Sequence, residues 1–469
     1  MIDLLSEVLL QLNPWWEEKP VPFIKGLPHR ELFWSLQKTI FSEKRIQTIV
    51  GLRRVGKTTL LLQLISLLLD RKIERENILY LVGDDPNLML YWQKDSLSTL
   101  LDFYLTNVAK RGKKFVFIDE AHFVPLWDKT LKSYYDRFSD LKFFITGSAS
   151  LPLSKGSKES LVGRALEEIL WQLSFREYLR FRATLKREVF PEDGLGENYN
   201  YQGLTKLLIN NPLLAVQRTR MFKPVFEAFL LFGGLPEGIF EEDPILWQKK
   251  LSEDIIKRNI YYDLVRTFPI RNPEHLETML YLIARNQSQM FSLNTFINYL
   301  PFGSKETVGK YLEFLKAAFL VGELRKFTKR APAKLKKFFI RDSGILQMIG
   351  KKRRVGDANI GQVVEGVVAH EALSKFRDVF FFRDSRGREV DLVVEADKVL
   401  LPIEVKHTRV VKRDSLKPLY YFCKKYTIHH AVILTGGEIV EEEHEGIRLF
   451  FLPVWEWLWM KEPMANIRP

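Results

Sequence analysis

Eight consecutive residues constrain this chain more than any other feature: Gly51-Leu52-Arg53-Arg54-Val55-Gly56-Lys57-Thr58. They follow an apolar run, Ile46–Val50, and precede a helical one that starts at Thr59 and reaches Leu69. Strand, glycine-bounded loop and helix form the context in which G-x-x-x-x-G-K-[ST] carries meaning. Glycines let the backbone wrap a polyphosphate, so that loop N–H groups and the positive helix end face anionic oxygens. In this reading Gly51, Arg53, Arg54, Val55, Gly56, Lys57, Thr58 and Thr59 surround the phosphates. Lys57 reaches the β and γ groups, and the Thr58 hydroxyl ligates Mg²⁺. The loop implies a bound nucleoside triphosphate.

Composition enters where it limits partners. The 71 Lys and Arg residues against 58 Asp and Glu give a net charge of +13. That balance points to a polyanion, DNA before a membrane surface. A basic surface laced with ion pairs is the other reading of the same numbers. The length of 469 residues suits about three or four domains. A single cysteine, Cys423, excludes an intramolecular disulfide and makes a reducing cytoplasm the expected compartment. The N-terminus lacks a signal-peptide charge pattern, and the apolar run after Thr58 is too short to span a bilayer. No membrane segment is expected.

Residues 1–25 read as a short helix and a Pro- and Trp-rich tether. Apolar strands are expected at Asn77–Val82 and Lys114–Asp119. The second ends in Asp119-Glu120, which places Asp119 to hold Mg²⁺ and leaves Glu120 to polarise the attacking water. His122 has no ligand partners at a suitable spacing and reads as a packing or solvated residue. A further strand covers Leu141–Ser148, where Thr146 and Ser148 are both candidates to contact a γ-phosphate or the water attacking it. Arg164 stands just before the apolar stretch Ala165–Leu173. It could offer a cationic finger to a neighbouring subunit's nucleotide, or be a solvated surface arginine.

These motifs, with Leu173-Ser-Phe-Arg-Glu-Tyr178 and Gly233-Gly-Leu-Pro-Glu237, resemble the archaeal-type AAA+ ATPases. The resemblance implies an α/β P-loop core at 26–173, a helical lid at 174–270, and ATP with Mg²⁺ as the bound nucleotide. It also implies a homo-oligomeric ring, with a hexamer favoured. Arg258, Arg266 and Arg271 are the lid arginines available to sense nucleotide.

Residues 271–350 change character. Glu274–Asn286 has helical periodicity, Phe291–Leu300 reads as a second helix, and Ser304–Ala317 as a third that opens on a capping serine. Leu320–Phe327 then reads as a strand entering a hairpin, completing a winged helix-turn-helix. Lys305, Lys310 and Lys316 lie along the third helix. Arg325, Lys326, Lys329, Arg330, Lys334, Lys336 and Lys337 fill the hairpin, and Lys351-Lys-Arg-Arg354 follows. Such density suits phosphate contacts, or a solvated oligomer contact.

Residues 351–469 hold a second constellation. Glu389–Val394 and Leu401–Lys406 are two strands turning at Asp397-Lys398, which puts Asp391 opposite Glu404 and Glu389 opposite Lys406. The pattern resembles the PD-(D/E)xK, restriction-endonuclease-like fold through Asp391, Glu404 and Lys406, with Glu365 as a fourth acid on the preceding helix. That resemblance implies metal-dependent phosphodiester cleavage, with Glu365, Asp391 and Glu404 as metal ligands.

The function expected from these parts is a DNA-acting ATPase that remodels or translocates DNA, branched junctions included, through a nuclease-like C-terminal domain. Two other readings stand beside it: a nucleotide-driven signalling or defence switch that contacts protein, and a metal nuclease regulated by ATP.

Overall fold

The computed structural model describes residues 2–93, 96–147, 161–190, 199–291, 294, 296–297, 304–328, 335–352, 360–396 and 398–464. They fall into two compact units: Met1–Trp171 with Tyr261–Ile270, and Gln172–Ile260 with Arg271–Pro469. The second unit thus takes in residues expected to be lid, winged helix and nuclease-like domain alike, and 261–270 joins the first. No helix among the described residues is long and apolar enough to cross a membrane.

The first unit is a parallel sheet of β1 (Ile46–Val50), β2 (Ile78–Val82), β3 (Lys114–Asp119), β4 (Leu141–Gly147) and β5 (Ala165–Ile169). The strand order is β2-β3-β4-β1-β5, so β4 lies between the strand of the phosphate loop and the strand of the two acids. Residues of β1, β3 and β4 are buried on both faces, as crossover helices demand of a parallel sheet. The N-terminal segment is no loose tether. Asn13 uses its side-chain amide as an extra strand residue on the open edge of β2, donating to the Tyr80 carbonyl at 3.0 Å and accepting from the Tyr80 N–H at 2.6 Å. The indoles of Trp15 and Trp16 both donate to the Ile78 carbonyl. An edge that would otherwise template aggregation is closed.

The second unit has one nine-stranded mixed sheet. Its strands are β6 (Met290–Phe291), β7 (Val321–Lys326), β8 (Lys336–Ile340), β9 (Asp378–Arg383), β10 (Glu389–Ala396), β11 (Val399–Lys406), β12 (His430–Thr435), β13 (Val440–His444) and β14 (Ile447–Pro453). Helix Pro273–Arg285, helix Lys305–Ala317 and the hairpin β7–β8 follow in the anticipated order, but Phe291, expected to open a second helix, ends the short strand β6; most of that expected helix lies outside the described residues. The hairpin is not free. Its strand β7 pairs in parallel with β9, Arg325 to Phe380 and Lys326 to Phe381. Phe327, at the end of β7, inserts among Phe380, Phe422 and Tyr426, so the aromatic core fuses two regions expected to be separate.

The Gly-Gly-Leu-Pro motif has a local cause. A Cβ on Gly233 would stand 2.3 Å from Asp342 Oδ1, and the Gly234 N–H donates to Asp342 Oδ2 at 2.8 Å. Helix Pro212–Phe232, which leads into this motif, is fixed by a fully buried ion pair between Arg218 and Glu456 at 2.7 Å.

Candidate functional site

In the first unit the phosphate loop is tightly packed. A Cβ on Gly51 would lie 2.3 Å from the Leu170 carbonyl oxygen, and Gly56 has φ +98°, so both positions demand glycine. Arg30 braces the loop by donating to the carbonyls of Val55 and Trp171 at 2.7 and 2.8 Å. Nothing in the motif pointed to it, because its partners are backbone atoms distant in sequence. Lys57 is only 4% exposed and donates to the carbonyls of Gly51 and Leu52. Its ammonium lies 3.8 Å from Glu120 Oε1. Arg53 pairs with Asp263 at 3.4 Å, while Arg54, with φ +64°, is exposed at the loop's bend.

Asp119 is almost fully buried, and hydroxyls answer it. Thr58 Oγ1 donates to Oδ2 at 2.6 Å, Tyr80 Oη donates to the same oxygen at 3.1 Å, and Thr146 Oγ1 donates to Oδ1. Burial raises the Asp119 pKa, as does the neighbouring Glu120 charge, against these hydrogen bonds. Thr146 also accepts the Glu120 N–H at 3.0 Å. Thr146 thereby aligns both acids; Ser148, the other candidate, lies outside the described residues. Glu120 itself takes a left-handed conformation, φ +48°, at the strand tip.

His122 is not solvated. Its Nδ1 is 3.4 Å from Glu120 Oε2, and burial lowers its pKa to about 4, so the ring stands neutral beside the glutamate at physiological pH. Arg266, of the three lid arginines, falls within the first unit, its guanidinium 4.5 Å over the Phe123 ring. Arg164 pairs with Asp136 of the same unit at 2.8 Å.

Residues 43–179 match the AAA domain family. The first unit carries an AAA-type P-loop ATPase core. Residues 223–354 and 360–457 match two domains of unknown function, DUF8612 and DUF4143. The chain is 24% identical to an uncharacterized protein of Haemophilus influenzae over 87% of its length and 94% of that protein's. It is also 24% identical to the uncharacterized protein MJ1544 of Methanocaldococcus jannaschii, over 88% of each. Relatives thus occur in a bacterium as well as an archaeon. Among solved structures, the Walker-type ATPase PABY2304 of Pyrococcus abyssi aligns at a TM-score of 0.40 and 16% identity, over 71% of this chain and 99% of that one. The ORC1 protein of Aeropyrum pernix, solved in complex with DNA, aligns at 0.27 and 14%, over 69% and 93%. Scores this low carry no functional argument.

The second constellation is differently built. The β10–β11 register is the expected one, Leu392 to Ile403 through Ala396 to Val399. Asp391 Oδ2 accepts the Val405 N–H at 2.8 Å, which brings it beside Glu404. Glu404 is bound by Lys406 at 2.6 Å, and burial together with the Asp391 charge pushes its pKa up to about 8. Burial and Asp391 likewise raise Glu365 to about 7. Glu389 does not reach Lys406. The β9–β10 register shifts between Val390 and Val393, and the Glu389 carboxylate goes to Lys337 at 2.6 Å and Arg383 at 2.9 Å.

Lys337, expected on a DNA-facing hairpin, is 2% exposed and clamps Glu365 at 3.0 Å as well. Among the described residues no three His, Cys, Asp or Glu side chains are grouped to hold a metal ion. The expected ligands Glu365, Asp391 and Glu404 are each taken by a lysine or a backbone N–H. One oxygen, Glu404 Oε2, is buried without a hydrogen-bond partner, yet the donor set as arranged is neutralised by ammonium groups and does not fit a divalent cation.

Several of the expected phosphate-contacting lysines are committed too. Lys310 pairs with Glu306, Lys316 with Glu313 and Glu323, and Lys336 with Glu323. Lys329, Arg330, Lys334, Arg353 and Arg354 lie outside the described residues.

Proposed function

We propose that this chain is an ATPase that couples ATP hydrolysis to work on nucleic acid. The observation that carries hydrolysis is the Thr58–Asp119–Thr146 hydroxyl network, which fixes a buried carboxylate beside Glu120. A hydroxyl and a carboxylate with no lysine hydrogen-bonded between them are a donor set suited to Mg²⁺. Thr58 and Asp119 would hold that ion, which supplies charge neutralisation on the transferring phosphoryl group. Lys57 leaves the carbonyls of Gly51 and Leu52 for the phosphates, and Glu120 accepts a proton from the attacking water. His122 keeps the Glu120 carboxylate oriented, and we assign nucleotide sensing to Arg266, the one of the three lid arginines within the first unit. Arg164 acts in trans only after releasing Asp136, which requires an oligomeric ring.

The excess of 71 basic over 58 acidic residues supports the nucleic-acid partner. The winged helix-turn-helix and restriction-endonuclease-like readings of the second unit rest on element order and strand register, and we take the latter region as a grip on nucleic acid. A second reading, an ATP-driven switch acting through protein, draws support from Lys310, Lys316 and Lys336, which are already spent on glutamates.

The test is steady-state ATP hydrolysis at low and high salt, without DNA and with single strands, duplex or a four-way junction, using Glu120→Gln as the blank. Stimulation by one DNA form that disappears at high salt is the expected result. An unchanged rate in all four conditions moves the assignment to the switch.

A further inference from the structure

A groove of about 640 Å³ in the second unit has charges of the opposite status to Lys336 and Lys337 of the hairpin. Its lining includes Val216, Arg220 and Lys223 on helix Pro212–Phe232, Arg409 in the turn after β11, and Gly437 and Ile439 after β12. Residues 216, 220 and 223 are spaced by four and three, so one helix face presents them together. Strands β11 and β12 are parallel, and both turns leave their carboxyl ends, where open α/β sheets place ligands.

Arg220, Lys223 and Arg409 are exposed, and none forms an ion pair among the described residues. The acids nearby in sequence are engaged elsewhere: Glu438 with Arg413 at 2.7 Å, Glu441 with Lys206 at 4.0 Å. Packing of Gly436 against the Thr408 carbonyl, whose oxygen accepts its N–H at 2.9 Å, draws the two turns together. Beyond Gly437 there is open space where a Cβ would stand. The wall between the cations is apolar, and Val216 is 48% exposed along it. Arg409 lies three residues beyond Lys406, the last residue of the strand that carries Glu404. His407, between them, meets Phe226 of the same helix edge-on at 6.0 Å.

We propose that this groove binds a single strand of nucleic acid, with Arg220, Lys223 and Arg409 on its phosphates and the wall of Val216 and Ile439 against an unstacked base. Unpaired cations beside an apolar wall match a phosphodiester chain whose bases are free to turn inward. The proposal rests on the nucleic-acid reading above and names where that partner sits.

The test uses full-length protein and fluorescence anisotropy with a labelled oligothymidylate across a salt series. Arg220→Ala/Lys223→Ala/Arg409→Ala is expected to weaken binding roughly tenfold or more and to flatten the salt slope by about 2, the value for three phosphates on a single strand. Val216→Glu, on an exposed position, should weaken binding in the same direction without removing a cation. Basal ATP hydrolysis in both variants should match the parent, which guards against misfolding. If parent and variants bind with equal affinity and slope, the groove assignment fails and the nucleic-acid reading stands. If the parent binds no oligonucleotide of any form, both fail. If a labelled polyglutamate peptide binds the parent tightly and the triple variant not at all, while oligothymidylate binds neither, the groove belongs to an acidic protein and the proposal is overturned.

Discussion

Asp119 and Glu404 are both buried carboxylates on a strand, and they are neutralised in opposite ways. Around Asp119 the hydrogen-bond partners are hydroxyls of Thr58, Tyr80 and Thr146. Around Glu404 and Glu365 the partners are the ammonium groups of Lys406 and Lys337. A hydroxyl can rotate its proton away and turn a lone pair to an arriving cation, so the first site remains open to a metal at small cost. An ammonium offers no lone pair and must be expelled first. The first arrangement suits a carboxylate that exchanges ligands during turnover; the second suits one whose partner was fixed during folding. Two acids on a strand are therefore not one signal but two, separated by what answers them.

Replacing Glu120 with Gln is expected to produce the largest effect. The change keeps the Thr146 contact, which is to the backbone N–H, and removes the base together with its charge beside Lys57 and His122. Phosphate release should fall about 100- to 10,000-fold with nucleotide affinity retained, read from initial rates and binding of a fluorescent ATP analogue. A smaller loss would mean that another group accepts the proton. Next comes Lys337→Ala in the second unit. It leaves the largely buried Glu365 beside Asp391 without its ammonium, while Glu389 keeps Arg383, at a cost of about 3–5 kcal/mol read from urea unfolding. A double variant, Lys337→Met with Glu365→Gln, should recover most of that loss. If Lys337→Ala unfolds at the parent's urea concentration, those acids are not held by the lysine and the contrast collapses.

The unequal legibility of the two sites has the same origin. The phosphate loop could be read because its requirements are local: glycine at 51 and 56, a lysine and a hydroxyl next to them, all within eight residues. The hairpin register of β10 and β11 could also be read, since a two-residue turn determines which positions face each other. What the sequence did not reveal depends on partners far along the chain. Lys337 looked like one more surface lysine in a basic run, and it is buried because β8 pairs within the sheet and Glu365 and Glu389, distant in sequence, meet its ammonium. Asn13 looked like part of a tether until its amide met Tyr80, 67 positions away. His122 appeared as a lone histidine, because a neighbour two residues away across a 3-10 turn leaves no periodic trace.

That histidine gives a third, smaller test. Burial holds its folded pKa near 4, below an unfolded value near 6.5. Its contribution is thus fully present above about pH 6.5 and is lost as pH falls from there toward 4, because the unfolded chain gains the proton first. A shift of that size corresponds to about 3 kcal/mol at most. His122→Phe should flatten this acid limb of the first unit's stability, measured by urea unfolding between pH 4 and 7. An unaltered limb would assign the acid sensitivity to other groups.

The smallest effect is expected where charge is already answered at the surface. Lys316 is held by Glu313 at 2.9 Å and Glu323 at 2.8 Å, with a quarter of its side chain exposed. The two glutamates raise its pKa against the opposing effect of burial. Lys316→Ala should cost about 1 kcal/mol or less, since partly exposed pairs contribute little. More usefully, it should leave nucleic-acid affinity and its salt slope unchanged, because a lysine engaged by two carboxylates has no free charge to give a phosphate. If the slope on duplex instead falls by about 0.9, the value for one phosphate contact, then Lys316 leaves Glu323 when nucleic acid arrives. In that case an ammonium-answered acid can be opened by an anion as a hydroxyl-answered one is by a cation, and the contrast between the two kinds of site would hold only in the buried interior.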